Sequence, residues 1–234
     1  MAYLAGPNIV TNGLVYVIDA GSTRSYPGTG TTVIDLAGNF NSEMENGVSI
    51  DNSNGGVFDF DGTDDYITTN NDFLSVTPIS ESTEYTLEAW IYVRTSGGTT
   101  TNSDCIIGHD SDTGFGMQVG VSSSKPRINY GARSTSNFYS STFEYNEWKQ
   151  VVLSRKSSDP NCFTYFNGAF DVSSTNDLDL ISPSDGDVNI GGGGGRISGY
   201  FDGLMGPVRV YNIALTAEQV LQNFNAQKSR FGLW

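Results

Sequence analysis

The stretch Asp59-Phe60-Asp61-Gly62-Thr63-Asp64-Asp65-Tyr66 places four carboxylates within seven positions of an acidic chain. Carboxylates this close together can collect oxygen ligands for calcium, share a proton in acid-base catalysis, or solvate a turn. An EF-hand loop needs Gly at its sixth position and Glu at its twelfth. Counted from Asp59, those places hold Asp64 and Asn70, so that loop is excluded. Strand alternation sends Asp59 to the face opposite Phe58 and Phe60, either exposed or paired across the strand. The acids therefore read as those of a hydrated strand-turn-strand, with Asp61 to Asp64 making a tight reversal between paired strands and Tyr66 anchoring the return.

Other chemistry-bearing residues stand more alone. Glu88 has Thr86 and Trp90 as its neighbours on the same strand face, so no second acid accompanies it, and a salt bridge or hydrogen bond is its expected role. His109 is the single histidine, which excludes clusters of histidine ligands. No G-x-S-x-G elbow is present, and the Gly108-His109-Asp110 context reads as a strand end, structural or solvent-facing. The run Gly191 to Gly195 is not followed by Gly-Lys-Ser/Thr, which leaves a flexible loop or a close-packed crossover rather than a phosphate loop.

Composition narrows the partners. The 26 acidic and 12 basic residues give a formal charge of -14, a field that repels nucleic acid and keeps the chain soluble. The opening MAYLAGPNIV has no basic n-region, and nowhere do eighteen apolar residues run together, so neither a signal peptide nor a membrane insertion is expected. Cys105 and Cys162 are too few for a disulfide scaffold or a zinc ribbon and read as two buried thiols.

The elements that must position these residues are short. Apolar alternation marks strands at 14–19, 57–60, 65–68, 85–94, 105–109, 115–121, 127–131, 148–155, 162–168, 187–192 and 208–212. In Tyr85–Arg94 both faces carry large side chains, which suits a central strand. Gly-rich turn clusters separate the strands, and this spacing predicts an all-β sandwich of two sheets. Thr216 and Gln219 form a capping box, Leu215 and Val220 a staple, and Val220, Leu221 and Phe224 one apolar face, predicting a short helix over 217–226.

Taken in order, GLVYVIDAG (13–21), DLAGNFN (35–41), FDFDGTDDYI (58–67), YTLEAWIYV (85–93), EWKQVVLSR (147–155), YFNG (165–168), VNIGG (188–192) and FDGLMGPVRVYNIALTAEQV (201–220) resemble the laminin G-like, concanavalin A-like jelly-roll family. The resemblance implies an all-β, two-sheet antiparallel jelly-roll sandwich with one short C-terminal helix. Residues 1–12 would be an N-terminal arm, 13–226 a single domain and 227–234 a C-terminal tail. The family's calcium site, carried over, would use Asp19 with Asn39 and Asn41. Gly206 and Pro207 stand where members often carry Asp-Glu, so one charged ligand is missing and only Asp35 or backbone carbonyls could complete the set. No cofactor is required, and calcium is the one metal the resemblance allows. Glycosidases on related sandwiches carry an E-x-D-x-x-E strand, which is absent, so no catalytic residue is assigned and the chain is expected not to be an enzyme. Sandwich lectins stack sugars on loop aromatics, and Tyr26, Phe138, Tyr139, Tyr145 and Tyr200 are the glycan-binding candidates.

The opening LAGPNIVTNGLV and closing LQNFNAQKSRFGLW resemble versions of this domain on tailed, especially marine, bacteriophages. That implies a virion structural protein made in the host cytoplasm and displayed on the particle surface, as a capsid decoration protein. Its partners would be other virion proteins, further copies of itself, or a host surface glycan. The alternative is a carbohydrate-binding adhesin on a tail or fibre; a glycan-cleaving enzyme and a secreted cellular module are weaker readings. The apolar residues Phe231, Leu233 and Trp234 are expected to dock on this subunit or the next, and the N-terminal arm to reach neighbours.

Overall fold

The computed structural model describes residues 7–38, 40–69, 84–94, 104–109, 115–132, 136–157, 162–175, 188–192 and 199–234. Two antiparallel sheets pack face to face as a jelly-roll sandwich. The first sheet contains β1 (Leu14–Ile18), β4 (Ser49–Asp51), β5 (Val57–Asp61), β7 (Tyr85–Val93), β12 (Trp148–Arg155), β13 (Cys162–Phe166), β14 (Ala169–Ser174) and β16 (Asp202–Tyr211). Across it the order is β14-β13-β12-β7-β16-β5-β4, with β1 also on β16. The second contains β2 (Thr32–Val33), β3 (Ser42–Glu45), β6 (Tyr66–Thr68), β8 (Asp104–His109), β9 (Phe115–Ser122), β10 (Lys125–Ala132), β11 (Ser136–Thr142) and β15 (Val188–Ile190). Its order is β11-β10-β9-β8-β15-β6-β3-β2.

Alternation assigns the faces. Leu87, Ala89, Ile91 and Val93 of β7 meet Met117, Val119, Ile128 and Ile190 of the second sheet in one core. The opposite side of β7 carries Glu88 and Trp90, both fully buried, because the outer face of the first sheet is itself covered. The cover is α1 (Ala217–Gln227), closed by the expected capping box, and the 3-10 turn Lys228–Phe231 that follows it. Leu215 and Val220 do share a cluster with Val152, Tyr165 and Tyr211. Leu221 departs from the expected stripe: it is 45% exposed, while Asn223 is the buried residue.

Asn223 is buried because it completes a polar network. Glu88 Oε1 accepts from Arg209 Nη1 at 2.6 Å and Gln150 Nε2 at 3.0 Å, and Oε2 accepts from Asn223 Nδ2 at 2.7 Å. Asn223 Oδ1 in turn accepts the Val10 N–H, and Tyr211 donates to the Val10 carbonyl. The described part of the N-terminal arm is therefore fastened to its own sheet rather than extended toward neighbours, which corrects the expectation for residues 7–12. Phe231 likewise docks in cis, stacked at 4.2 Å on Trp90 and lying 4.5 Å from Trp148, with Leu233 packed beside it. Trp234 is 94% exposed and does not pack on its own subunit.

The acidic stretch is also corrected. Its two strands do not pair with each other: β5 lies between β16 and β4 in the first sheet, and β6 lies between β3 and β15 in the second. Residues 62–65 carry the chain from one sheet to the other, while Phe58 and Phe60 fill the core as expected. Gly191, at φ +85°, is held by that packing, since a Cβ there would run into the Phe60 ring. Of the two readings of the glycine run, a flexible loop or a close-packed crossover, the tight contact at Gly191 fits the second for its first residue; Gly193 to Gly195 lie outside the described residues. Neither cysteine forms a disulfide, and both are buried.

Candidate functional site

Asp61, Asp64 and Asp65 bring one carboxylate oxygen each within 4.8 Å of one another. Their side-chain hydrogen bonds are local. Asp65 Oδ2 accepts the Asp61 N–H, and Asp61 Oδ1 accepts the Thr63 N–H, as in a self-bonded Asx turn. Burial raises the Asp65 carboxyl above its ordinary value; the Asp61 N–H opposes this, and the charges of Asp61, Asp64 and Asp59 add to the rise. Asp59 is paired across the strand, with Arg94 Nη2 at 2.6 Å. These acids build and solvate a turn.

At the end of β1, Asp19 has a partner 211 residues away. Arg230 Nη1 donates to Asp19 Oδ2 at 2.7 Å and Nη2 to Oδ1 at 2.9 Å. The same guanidinium donates to the carbonyls of Asn54 and Gly56 at 2.6 and 2.7 Å. A bidentate carboxylate and two backbone carbonyls form an oxygen cage of the type that suits a cation, and an arginine already fills it. Gly206 belongs to the same arrangement, because a Cβ there would lie 2.7 Å from the Phe231 ring. Among the described residues, the Asp19 oxygens that calcium would need are thus taken by arginine. Asp35 is spent on the N–H groups of Val17, Ala37 and Phe40, and Asn41 is exposed. Asn39 lies outside the described residues.

The five aromatic candidates do not converge on one site. Phe138 is the clear correction: it is not on a loop but in β11, its side chain turned inward and stacked 5.0 Å from Tyr130. Tyr26 and Tyr145 are half-buried against the core. Tyr200 is half-buried, its ring lying where a Cβ of Gly192 would project. Tyr139 alone points outward from a strand, 44% exposed, with the Arg127 guanidinium 3.8 Å from its ring centroid.

Tyr139 marks a face that sequence reasoning missed. In β10, Ile128 and Tyr130 face the core, so Arg127, Asn129 and Gly131 face outward; in β9, Met117 and Val119 do the same for Gly116, Gln118 and Gly120. Register sets Tyr139, Asn129 and Gln118 side by side across three strands, and Asn137, Gly131 and Gly116 in the next row. The glycines lie close under their neighbours' amides: a Cβ at Gly120 would lie 2.6 Å from Asn129 Nδ2, and one at Gly131 would meet Asn137 Oδ1, so either substitution would push an amide aside. The result is a low floor of backbone walled by amides and an aromatic, capable of hydrogen-bonding hydroxyls and stacking an apolar ring face. The period-two pattern of RINYG and FGMQVGV carries the signal, once the inward residues are known.

The chain belongs to the concanavalin A-like lectin/glucanases superfamily, whose family model matches residues 61–221. It is similar in structure to domain 4 of AbnA, a GH43 extracellular arabinanase from Geobacillus stearothermophilus solved with arabinotriose (16% identity, TM-score 0.67, covering 91% of this chain and 98% of that one). It is also similar to a Trypanosoma rangeli sialidase solved with sialic acid (14% identity, TM-score 0.65, covering 96% of this chain). There it spans only 35% of the sialidase chain. At these identities the likeness is one of fold. No curated protein matches the chain.

Proposed function

We propose that the protein is a non-catalytic carbohydrate-binding sandwich displayed on a virion surface, with the outer face of β9, β10 and β11 as its binding surface. One observation carries this reading: α1 and the C-terminal turn cover the first sheet, whereas among the described residues no helix covers the amide-lined outer face of the second. The complexes of the arabinanase domain with arabinotriose and of the sialidase with sialic acid support a saccharide as the ligand class. A non-catalytic role is supported by Glu88, which is enclosed in its ion pair with Arg209, and by Asp59, which is held by Arg94. A site of this kind needs no metal. Affinity electrophoresis of the purified protein through gels containing defined polysaccharides tests the binding. Retardation lost in Tyr139→Ala is the expected result, and unretarded migration through every gel would overturn it.

The virion assignment rests on the sequence resemblance at both chain ends, and immunogold labelling of purified phage particles tests it. Label on tails or fibres would fit an adhesin, label on heads a decoration protein, and no label on intact particles would contradict both. Capsid decoration draws support from the exposed Trp234, an apolar side chain left outside the docked C-terminal turn.

A further inference from the structure

The face that binds carbohydrate in the reading above, on which this inference rests, contains a cation without a counter-ion among the described residues. Several other cations of the chain meet a carboxylate: Arg94 is paired with Asp59 and Asp202, Arg209 with Glu88 and Arg230 with Asp19. Lys125, two residues from Arg127 and on the same strand face, is paired with Glu144. Arg127 has no carboxylate partner among the described residues; its contact is the Tyr139 ring, and its buried Nε–H has no acceptor. In a chain of formal charge -14, carboxylates are abundant, yet Gln118, Asn129 and Asn137 on the adjoining strands are all neutral amides. An unpaired guanidinium stacked on an aromatic is held in place by the ring while its terminal Nη–H donors stay available.

We infer that Arg127 and Tyr139 form a subsite for an acidic saccharide, one bearing a carboxylate such as a uronic acid. The guanidinium would take the sugar carboxylate through paired N–H donors, and the neighbouring amides would take its hydroxyls. A neutral sugar would reach the amides but leave the Arg127 Nη–H donors unsatisfied. Because the rest of the chain repels anions, discrimination comes from this one short-range contact rather than from steering.

The test is isothermal titration of the full chain with a polygalacturonate oligosaccharide, its fully methyl-esterified form and a neutral arabinan oligosaccharide, using wild type, Arg127→Gln, Arg127→Lys and Tyr139→Ala. Wild type should bind the free acid about tenfold or more tightly than the ester. Arg127→Gln should abolish that preference while the protein stays folded, Arg127→Lys should keep part of it, and Tyr139→Ala should weaken every ligand. Equal binding of the acid, ester and neutral oligosaccharide by wild type would overturn the acidic subsite and leave the carbohydrate reading standing. No binding of any saccharide by the folded protein would overturn both.

Discussion

Replacing Arg230 with Met removes the guanidinium that holds the C-terminal turn to the first strand. Four hydrogen bonds are lost, and the Asp19 carboxylate keeps the Gly21 N–H. Breaking a fully buried pair costs about 3–5 kcal/mol and an exposed one about 0–1 kcal/mol. The side chains here are 21% and 14% exposed, which places the cost between those limits, at about 2–3 kcal/mol. In a chain of this size each kcal/mol lowers the thermal midpoint by about 2–4 °C, so the expected fall is about 4–12 °C. Differential scanning fluorimetry reads it, and a double-mutant cycle with Asp19→Asn should show the two residues coupled by at least about 1 kcal/mol. Because arginine occupies the oxygen cage, neither millimolar calcium nor a chelator should move the wild-type midpoint. An Arg230→Met midpoint within about one degree of wild type, or a chelator that lowers the wild-type value, would refute the reasoning.

Three further outcomes follow from buried groups. Glu88→Ala strands Arg209 under α1 without a counter-charge and should cost about 3–5 kcal/mol in urea denaturation; a loss below about 1 kcal/mol would show that the network contributes little. Burial pushes the Cys105 thiol up to about 12, and Cys162 is fully enclosed, so the native protein should give no reaction with a thiol reagent and two equivalents once unfolded. Rapid labelling of the native chain would contradict that packing. Burial raises the Asp65 carboxyl in the folded state above its unfolded value, so the folded state binds the extra proton and stability improves as pH falls through the folded pKa. Asp65→Asn, which can still accept the Asp61 N–H, should therefore raise the midpoint at neutral pH, with the gain shrinking toward about pH 4. A gain independent of pH would contradict the assignment.

The central strands were legible because they are apolar on alternate residues: YTLEAWIYV and WKQVVLSR appear as β7 and β12. The strands that escaped are polar. SEME, SID, SNFYSST and AFDVSS form β3, β4, β11 and β14, where cross-strand pairing rather than side-chain pattern supplies the order. Missing β11 had a direct consequence at the candidate site, since Phe138 and Tyr139 read as loop aromatics when alternation in fact turns one inward and the other out. The change of sheet at residues 62–65 is invisible locally, because a turn within a sheet and a turn between sheets use the same residues. Glu88 was legible as a paired acid, but its partners Arg209 and Asn223 lie 121 and 135 positions away. The Asp19–Arg230 pair was hidden for the same reason; Gly206 was visible only as the place of a missing charged ligand, and the structure adds that it leaves room for Phe231.

The most direct test of the central claim is hydrogen–deuterium exchange of the full chain with and without a saturating oligosaccharide retained in the affinity gels. Protection concentrated in Phe115–Ser122, Lys125–Ala132 and Ser136–Thr142, with Ala217–Gln227 unchanged, is the expected result. Protection confined to the helix-covered sheet, with those three strands unaffected, would contradict it.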